Sequence, residues 1–419
     1  MTIALEADGA IRERRRRINR AATRFATVGD QLFVALSNFS LTLSISRAFG
    51  AEEVASYGMG LAIGLMIQGA HRHAITIPLM LEAQHRVLRR RGGIFAQHTL
   101  VLGCAMILGL MGIFLTYETQ VDSQSLLIAK SACVFLLVYS EMDFARAVLL
   151  KLNRPFHVLC SSGFYLIVCM SLSVSAQHHW ITYYDLLSVL SAAMLFHALV
   201  LAIVVRQYNL IQGCRLFLAD MYRYGWWAVV ATATYGGYNH LPLLILGALA
   251  EPRHAAAFVA TRSLMQPLQV LLRGLDMADK SHFANEAQLP HSRAAFIFTL
   301  KLAIPNTLAA GLFVLGVALF SEELIAIAYG PKFAYANSSL LAWLPLFLIM
   351  SACLPFEALV YARKEFRRYY FVRAVASVVA VGLTLPLVLL WDSVGAILAC
   401  GVGSLIAMTG TLLLLWGRR

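Results

Sequence analysis

About twelve stretches of roughly 20 mostly apolar residues follow one another along this chain, each long enough to carry a helix across a hydrocarbon core about 30 Å thick. Backbone groups in lipid must find partners within their own segment, so these runs read as helices and the fold class as all-α. Only 13% of the 419 residues are charged, whereas a soluble domain carries about 25%. The longest polar segments are the first 28 residues and the connections near 206–223 and 279–293, all too short to bury a core of their own. Any function therefore sits within the helical bundle.

The spacing predicts helices over 29–48, 54–81, 94–116, 125–149, 156–176, 183–205, 226–249, 255–278, 294–320, 337–361, 369–390 and 394–416. An even number puts both termini on one side. Alternate loops hold Arg86, Arg89, Arg90 and Arg91, then Lys151 and Arg154, then Arg206, Arg215 and Arg223, then Lys280 and Arg293, then Arg363, Lys364, Arg367 and Arg368. The opposite loops carry only Arg47, Arg253 and Lys332, so the positive-inside rule makes the basic side, with both termini, cytoplasmic. The net charge of +12 is thereby read as an orientation signal, and no nucleic-acid partner is expected. Residues 1–28 form a basic cytoplasmic tail; the apolar segment after it is full-length and has no small-residue cleavage site. Trp180, Tyr183 and Tyr184 on one side, and Trp226 and Trp227 on the other, fall at the expected headgroup level. The seven scattered cysteines form no CxxC pair, and neither disulfide, metal nor cofactor is expected.

Shifting the chain by 201 residues aligns Asn38 with Asn239, Tyr57 with Phe258, Gln68 with Gln269 and Arg72 with Arg273 without a gap. Amides and guanidinium groups are rare in membrane helices, so these matches weigh more than shared hydrophobicity does. Two pseudo-symmetric six-helix lobes are expected, 29–215 and 216–419, related by an axis along the membrane normal.

On the eighth predicted helix Arg262, Gln266, Gln269, Arg273 and Asp276 fall on one face, and on the second Gln68, Arg72 and Thr76 repeat the pattern, flanked by His71 and His73. Deep arginines are costly in lipid and normally face a watery cavity or a partner. Two readings stand for each stripe. Either it lines a central cavity, together with Asn38 and Asn239, or Arg273 pairs with Asp276 and Arg72 snorkels to the surface. His71 and His73 are either proton carriers, because imidazole titrates near neutrality, or ordinary packing residues. Asp143 and Arg146 are spaced to form a salt bridge within one helix, and Asp30 is placed as a hydrated cap at the start of the first helix. Pro242, Pro267, Pro305, Pro345 and Pro355 are candidate kinks. The deep charges favour cations, and a cationic cavity selects an anionic substrate, with arginine suited to bidentate contact with phosphate.

Several segments carry a resemblance: Ser46 to Tyr57 (SRAFGAEEVASY), Arg262 to Gln269 (RSLMQPLQ), Ala328 to Ala336 (AYGPKFAYA), and the basic loop after the tenth helix. With the twelve-helix pattern and the repeat, the chain resembles the polysaccharide transporter branch of the multidrug/oligosaccharidyl-lipid/polysaccharide exporter (MOP) superfamily, which includes Wzx-type O-antigen flippases. The resemblance implies a MATE-like fold, a place in the bacterial inner membrane, and no enzymatic activity. It implies alternating-access export of a lipid-linked oligosaccharide, typically on undecaprenyl pyrophosphate, from the cytoplasmic to the periplasmic leaflet for surface polysaccharide synthesis. Arg72, Arg262 and Arg273 would meet the pyrophosphate, with Gln68, Gln269, Asn38 and Asn239 as hydrogen-bonding groups. Membrane lipids, a polysaccharide polymerase and glycosyltransferases are the partners so implied. There is no GxxxxGK[ST] motif for ATP. The alternatives are a cation-coupled multidrug exporter of the same superfamily, in which a membrane-embedded acid is expected where this chain offers only Asp30, and a component of a glycan assembly complex.

Overall fold

The computed structural model of the chain describes residues 26, 29–76, 79, 84–118, 123–152, 154–205, 209–220, 226–272, 293–363 and 365–416, and every regular element among them is helical. In chain order these are α1 (29–48), α2 (Ala51–His71) with a π turn (Arg72–Thr76), α3 (Gln84–Glu118), α4 (Ser123–Lys151), α5 (Pro155–Gln177) and α6 (Tyr183–Val205). They continue with α7 (Leu210–Asp220), α8 (Trp226–Asn239), α9 (Leu241–Leu249), α10 (Pro252–Leu264), α11 (266–272), α12 (Arg293–Leu319), α13 (Ser321–Tyr329), a 3-10 turn (Pro331–Ala336), α14 (Asn337–Ala362) and α15 (Phe366–Trp416). The last is two arms, because Trp391 and Asp392 leave helical geometry, Asp392 at a φ of 47°. With α8–α9 and α10–α11 counted as interrupted spans and α15 as two, the described residues hold the twelve spans the sequence predicts. Among the described residues six stretches are long and apolar enough to cross a membrane by length and composition alone, α15 being one of them.

The interruptions follow proline chemistry. Proline has no N–H to give the carbonyl four residues back and suits the first turn of a new helix, so Pro242 and Pro267 turn predicted single helices into pairs broken at His240 and Met265. Pro305, Pro345 and Pro355 instead lie inside continuous helices. The predicted second helix passes from α to π geometry at Arg72 and stays helical to Thr76; of its last predicted residues, 77, 78, 80 and 81 lie outside the described residues. Part of the connection 206–223 is also helical: α7 starts with the backbone N–H of Gln212 bonded to Asn209 Oδ1 at 2.9 Å and packs on α3, where Gly213 lets the two approach. Of the expected aromatic belt, Trp180 and Tyr184 are exposed, but Tyr183 turns inward and bonds Ser131 at 2.9 Å.

α2 is the centre of the packing. It lies on α4 within its own half and on α8, α9 and α10 of the other. Glycines make this possible, as small residues do wherever membrane helices approach closely. A Cβ on Gly60 would stand 2.8 Å from the backbone N of Ala132, and one on Gly64 2.9 Å from that of Leu136. On the facing side a Cβ on Gly58 would meet Val259 Cγ2 at 2.0 Å.

The two halves repeat these contacts. Tyr57 is buried edge-on against Phe135 of α4 at 5.1 Å, and Phe258, its partner at the 201-residue offset, is buried edge-on against Trp343 of α14 at 4.9 Å. Ser131 on α4 bonds the first residue of α6, and Ser339 on α14 bonds Ser393, which opens the second arm of α15, at 2.8 Å. At the end away from the basic loops, cations of each half cap a helix of the other. Arg47 donates to the carbonyls of Ile327 and Ala328 at the end of α13, and Lys332 donates to those of Arg47 and Phe49 beyond α1 at 2.9 and 3.0 Å.

Candidate functional site

Glu141 and Asp143 are two residues apart on α4, about 200° around the helix, so they face different neighbours. Each organises a separate set of charges. On Asp143's side the set alternates in sign: Asp30 of α1 bonds Arg146, whose Nη1 lies 3.6 Å from Asp143 Oδ1, and Asp143 Oδ2 lies 3.8 Å from Arg72 Nε. The Asp143–Arg146 pair is thus present but shared. Asp30 departs from the expected hydrated cap. Its side chain is 2% exposed, and the Arg146 guanidinium reaching across from α4 compensates the burial. Arg72 is the outer member of the row, with its side chain 56% exposed on the π turn that packs against α4 and α8.

On the other side Glu141 is buried and heads a continuous chain of hydrogen bonds through the N-terminal half. His98 Nε2 on α3 meets Glu141 Oε2 at 3.0 Å, and His197 Nδ1 on α6 meets Oε1 at 3.3 Å. His71 Nε2, at the end of α2, lies 2.9 Å from His98 Nδ1, and Ser161 Oγ of α5 lies 2.7 Å from His197 Nε2. Five helices contribute one residue each. The rings are fixed by aromatic neighbours: His98 stacks on Phe144 at 3.8 Å with planes 5° apart, and His71 meets His98 edge-on at 5.0 Å. All five residues are buried, and Nδ1 of His71 has no hydrogen-bond partner among the described residues.

The remaining candidates are spread more widely. Gln68 is buried three residues before His71. The amide oxygen of Asn38 accepts from Tyr165 Oη at 3.1 Å, and Asn239 Nδ2 donates to the carbonyl of Tyr235 at 3.1 Å. Arg262 Nη1 donates to the carbonyl of Asn239 at 2.9 Å, where α8 breaks, and its guanidinium lies 5.6 Å from the centre of the Trp343 ring. A guanidinium at a helix C-terminus satisfies a carbonyl that the break would orphan. Gln269 is half-buried on α11, and Arg273 and the side chain of His73 lie outside the described residues. Sequence reasoning missed Ser161, His98 and His197. The available signal was a histidine inside an otherwise apolar span, clearest for His197 within Tyr183–Ile203.

The fold is that of a polytopic helical membrane protein. No family profile matches the sequence, and no curated protein matches it either. Solved structures do. The lipid II flippase MurJ in an inward closed conformation superposes with a TM-score of 0.67 at 12% identity, over 93% of this chain and 86% of that one. An inward-facing multidrug resistance MATE family transporter of the MOP superfamily matches with a TM-score of 0.67 at 13% identity, over 92% and 94% of the two chains. The eukaryotic MATE transporter AtDTX14 matches with a TM-score of 0.62 at 12% identity, over 96% of each chain.

Proposed function

We propose that this chain is a transporter of the bacterial inner membrane, both termini cytoplasmic, that moves a lipid-linked anionic oligosaccharide to the opposite leaflet by alternating access of its two halves. The observation that carries this reading is the sign and exposure of one charge. Within the row Asp30–Arg146–Asp143–Arg72, the two acids and Arg146 are largely buried and compensate one another, while Arg72 presents an exposed guanidinium on the turn between the halves. A guanidinium in that position selects phosphate or pyrophosphate. Arg273 stands at the equivalent sequence position of the second half, and this reading assigns Gln68, Gln269, Asn38, Asn239 and Arg262 to the cargo's route as hydrogen-bonding groups. The fold shared with a lipid II flippase is compatible with a lipid-linked cargo. A polysaccharide polymerase and glycosyltransferases are the partners that would consume and supply it.

Losing a charge-assisted hydrogen bond costs about 1.5–3 kcal/mol, so Arg72→Ala is expected to lower export of surface glycan roughly 10- to 150-fold at unchanged membrane abundance. Arg72→Lys should retain part of it, since lysine keeps the charge and loses the fork. The assay is surface glycan in cells that depend on this chain. Undiminished export in Arg72→Ala overturns the anion site. Broad drug hypersensitivity with intact glycan, in cells lacking the chain, would favour the multidrug exporter whose fold it also shares.

A further inference from the structure

The hydrogen-bond chain through the N-terminal half has a polarity that can be worked out atom by atom. An ionised Glu141 only accepts, so His98 Nε2 and His197 Nδ1 both carry protons and donate to it. A neutral His98 then has a bare Nδ1, which must accept from Nε2–H of His71. A neutral His197 has a bare Nε2, which accepts the hydroxyl proton of Ser161. Every contact is thereby satisfied, and two features are left over. The chain holds one net negative charge in the interior of the half, and it ends on a bare, buried acceptor, Nδ1 of His71, with no partner among the described residues.

Both features call for the same ligand. We propose that Ser161, His197, Glu141, His98 and His71 form a binding site for a single proton, taken up at Nδ1 of His71 and stored on Glu141. Uptake forms an N–H bond at His71 Nδ1. The proton on His71 Nε2 passes to His98 Nδ1, and the proton on His98 Nε2 passes to Glu141 Oε2. The product is a neutral carboxylic acid among three neutral imidazoles, with the His71–His98–Glu141 bonds reversed in direction and the bonds to His197 and Ser161 as before. One proton enters, and the buried charge goes from minus one to zero.

The surrounding charges do not already serve this purpose. Asp143 and Arg146 on α4, Asp30 on α1 and Arg72 on the π turn are engaged with one another. Asp185 on α6 is bonded to Thr182 at an exposed end, and Arg154 and His157 at the start of α5 and Arg215 on α7 are exposed. Tyr165 and Cys169 on α5 and Tyr235 and Tyr238 on α8 are the other titratable side chains of the neighbouring helices. Glu141 has only the two imidazoles within ion-pairing distance among the described residues. Occupancy also bears on the neighbouring backbone. A loaded His71 presents a buried N–H in need of an acceptor, at the residue where α2 passes into the π turn, and Thr76 Oγ1 in that turn is itself buried without a partner. Proton uptake therefore favours rearrangement of the turn that bears Arg72.

The test uses the purified full-length chain in lipid nanodiscs, with no substrate, so that it stands or falls apart from the identity of the cargo. Infrared difference spectra between about pH 8 and about pH 3, a range that takes in the ordinary imidazole and carboxyl values, should show one protonated-carboxyl band that is absent in Glu141→Gln. Magnetic resonance of isotope-labelled histidine in the unmutated protein should show two imidazoles exchanging tautomer over the same range, without a buried imidazolium. The second measurement decides if Glu141→Gln does not fold. A spectrum with no Glu141-dependent carboxyl band, or buried histidines whose tautomers never change, overturns the proposal and leaves the chain a purely structural polar network.

Discussion

Gly64 offers a sharp test of the packing that holds α2 at the centre. Adding a Cβ there changes two things. Helix propensity improves by about 0.5–1 kcal/mol, as for any helical glycine replaced by alanine. Against this, the new atom would sit 2.9 Å from the backbone N of Leu136 and 3.1 Å from the carbonyl carbon of Phe135, atoms of a packed helix that cannot swing aside. Overpacking of this kind costs about 1–3 kcal/mol. Gly103→Ala in α3 isolates the first effect, because a Cβ there meets nothing within 4 Å while the propensity gain is the same. The two variants should therefore differ by the overpacking alone, about 1–3 kcal/mol or roughly 5- to 150-fold in the unfolding equilibrium, Gly64→Ala being the weaker. Gly60→Ala should be weaker still, since its Cβ would lie 2.3 Å from Ser131 Cβ and displace the hydroxyl that bonds Tyr183. Denaturant titration in micelles, followed by tryptophan fluorescence, gives the order. Equal stability of Gly64→Ala and Gly103→Ala would mean that α2 does not run against the α4 backbone at this point.

Two further predictions concern charges. Arg47→Ala, or Lys332→Ala, releases carbonyls that one half caps on the other, and amide hydrogen exchange across 328–333 should quicken; unchanged exchange would show that the caps do not hold the halves there. Arg373→Ala takes from the mostly buried Glu357 the guanidinium it meets at 2.7 Å, at a cost of about 3–5 kcal/mol, whereas the double change Glu357→Leu with Arg373→Met should recover most of the loss. If the single variant unfolds no more readily than the unmutated chain, the pair is not desolvated.

The sequence made different parts of this structure legible to different degrees. The spans were readable because a hydrocarbon core dictates their length. The 201-residue offset was readable because Tyr57 and Phe258 hold the same buried, edge-on place in each half. Breaks at His240 and Met265 were half-readable: the prolines were visible, but their placement in the first turn of a new helix, rather than inside a bent one, depends on neighbours such as Arg262 that satisfy the freed carbonyl. Contacts within one helix, such as Asp143 with Arg146, follow from spacing. Those that matter most for the site do not. Asp30 finds Arg146 across 116 residues, and Glu141 finds His98 and His197 across 43 and 56. No local periodicity carries that information, so Asp30 read as a hydrated cap and His71 as a histidine without a known partner.

The repeat makes one asymmetry informative. Each half buries an acid on its fourth helix, Glu141 on α4 and Glu357 on α14. In the C-terminal half the acid meets Arg373, whose guanidinium lies 4.5 Å from the centre of the Tyr369 ring and stays protonated at any physiological pH. Its charge is permanently compensated. In the N-terminal half the acid, Glu141, meets imidazoles, which can hold or release a proton. Only this hydrogen-bond chain ends at the residue before the turn bearing Arg72, so a change of protonation in one half acts on the surface it shares with the other. Replacing imidazole by a permanent cation, as in His98→Arg, would give the N-terminal half the fixed character of its counterpart and should abolish the carboxyl band without removing the acid.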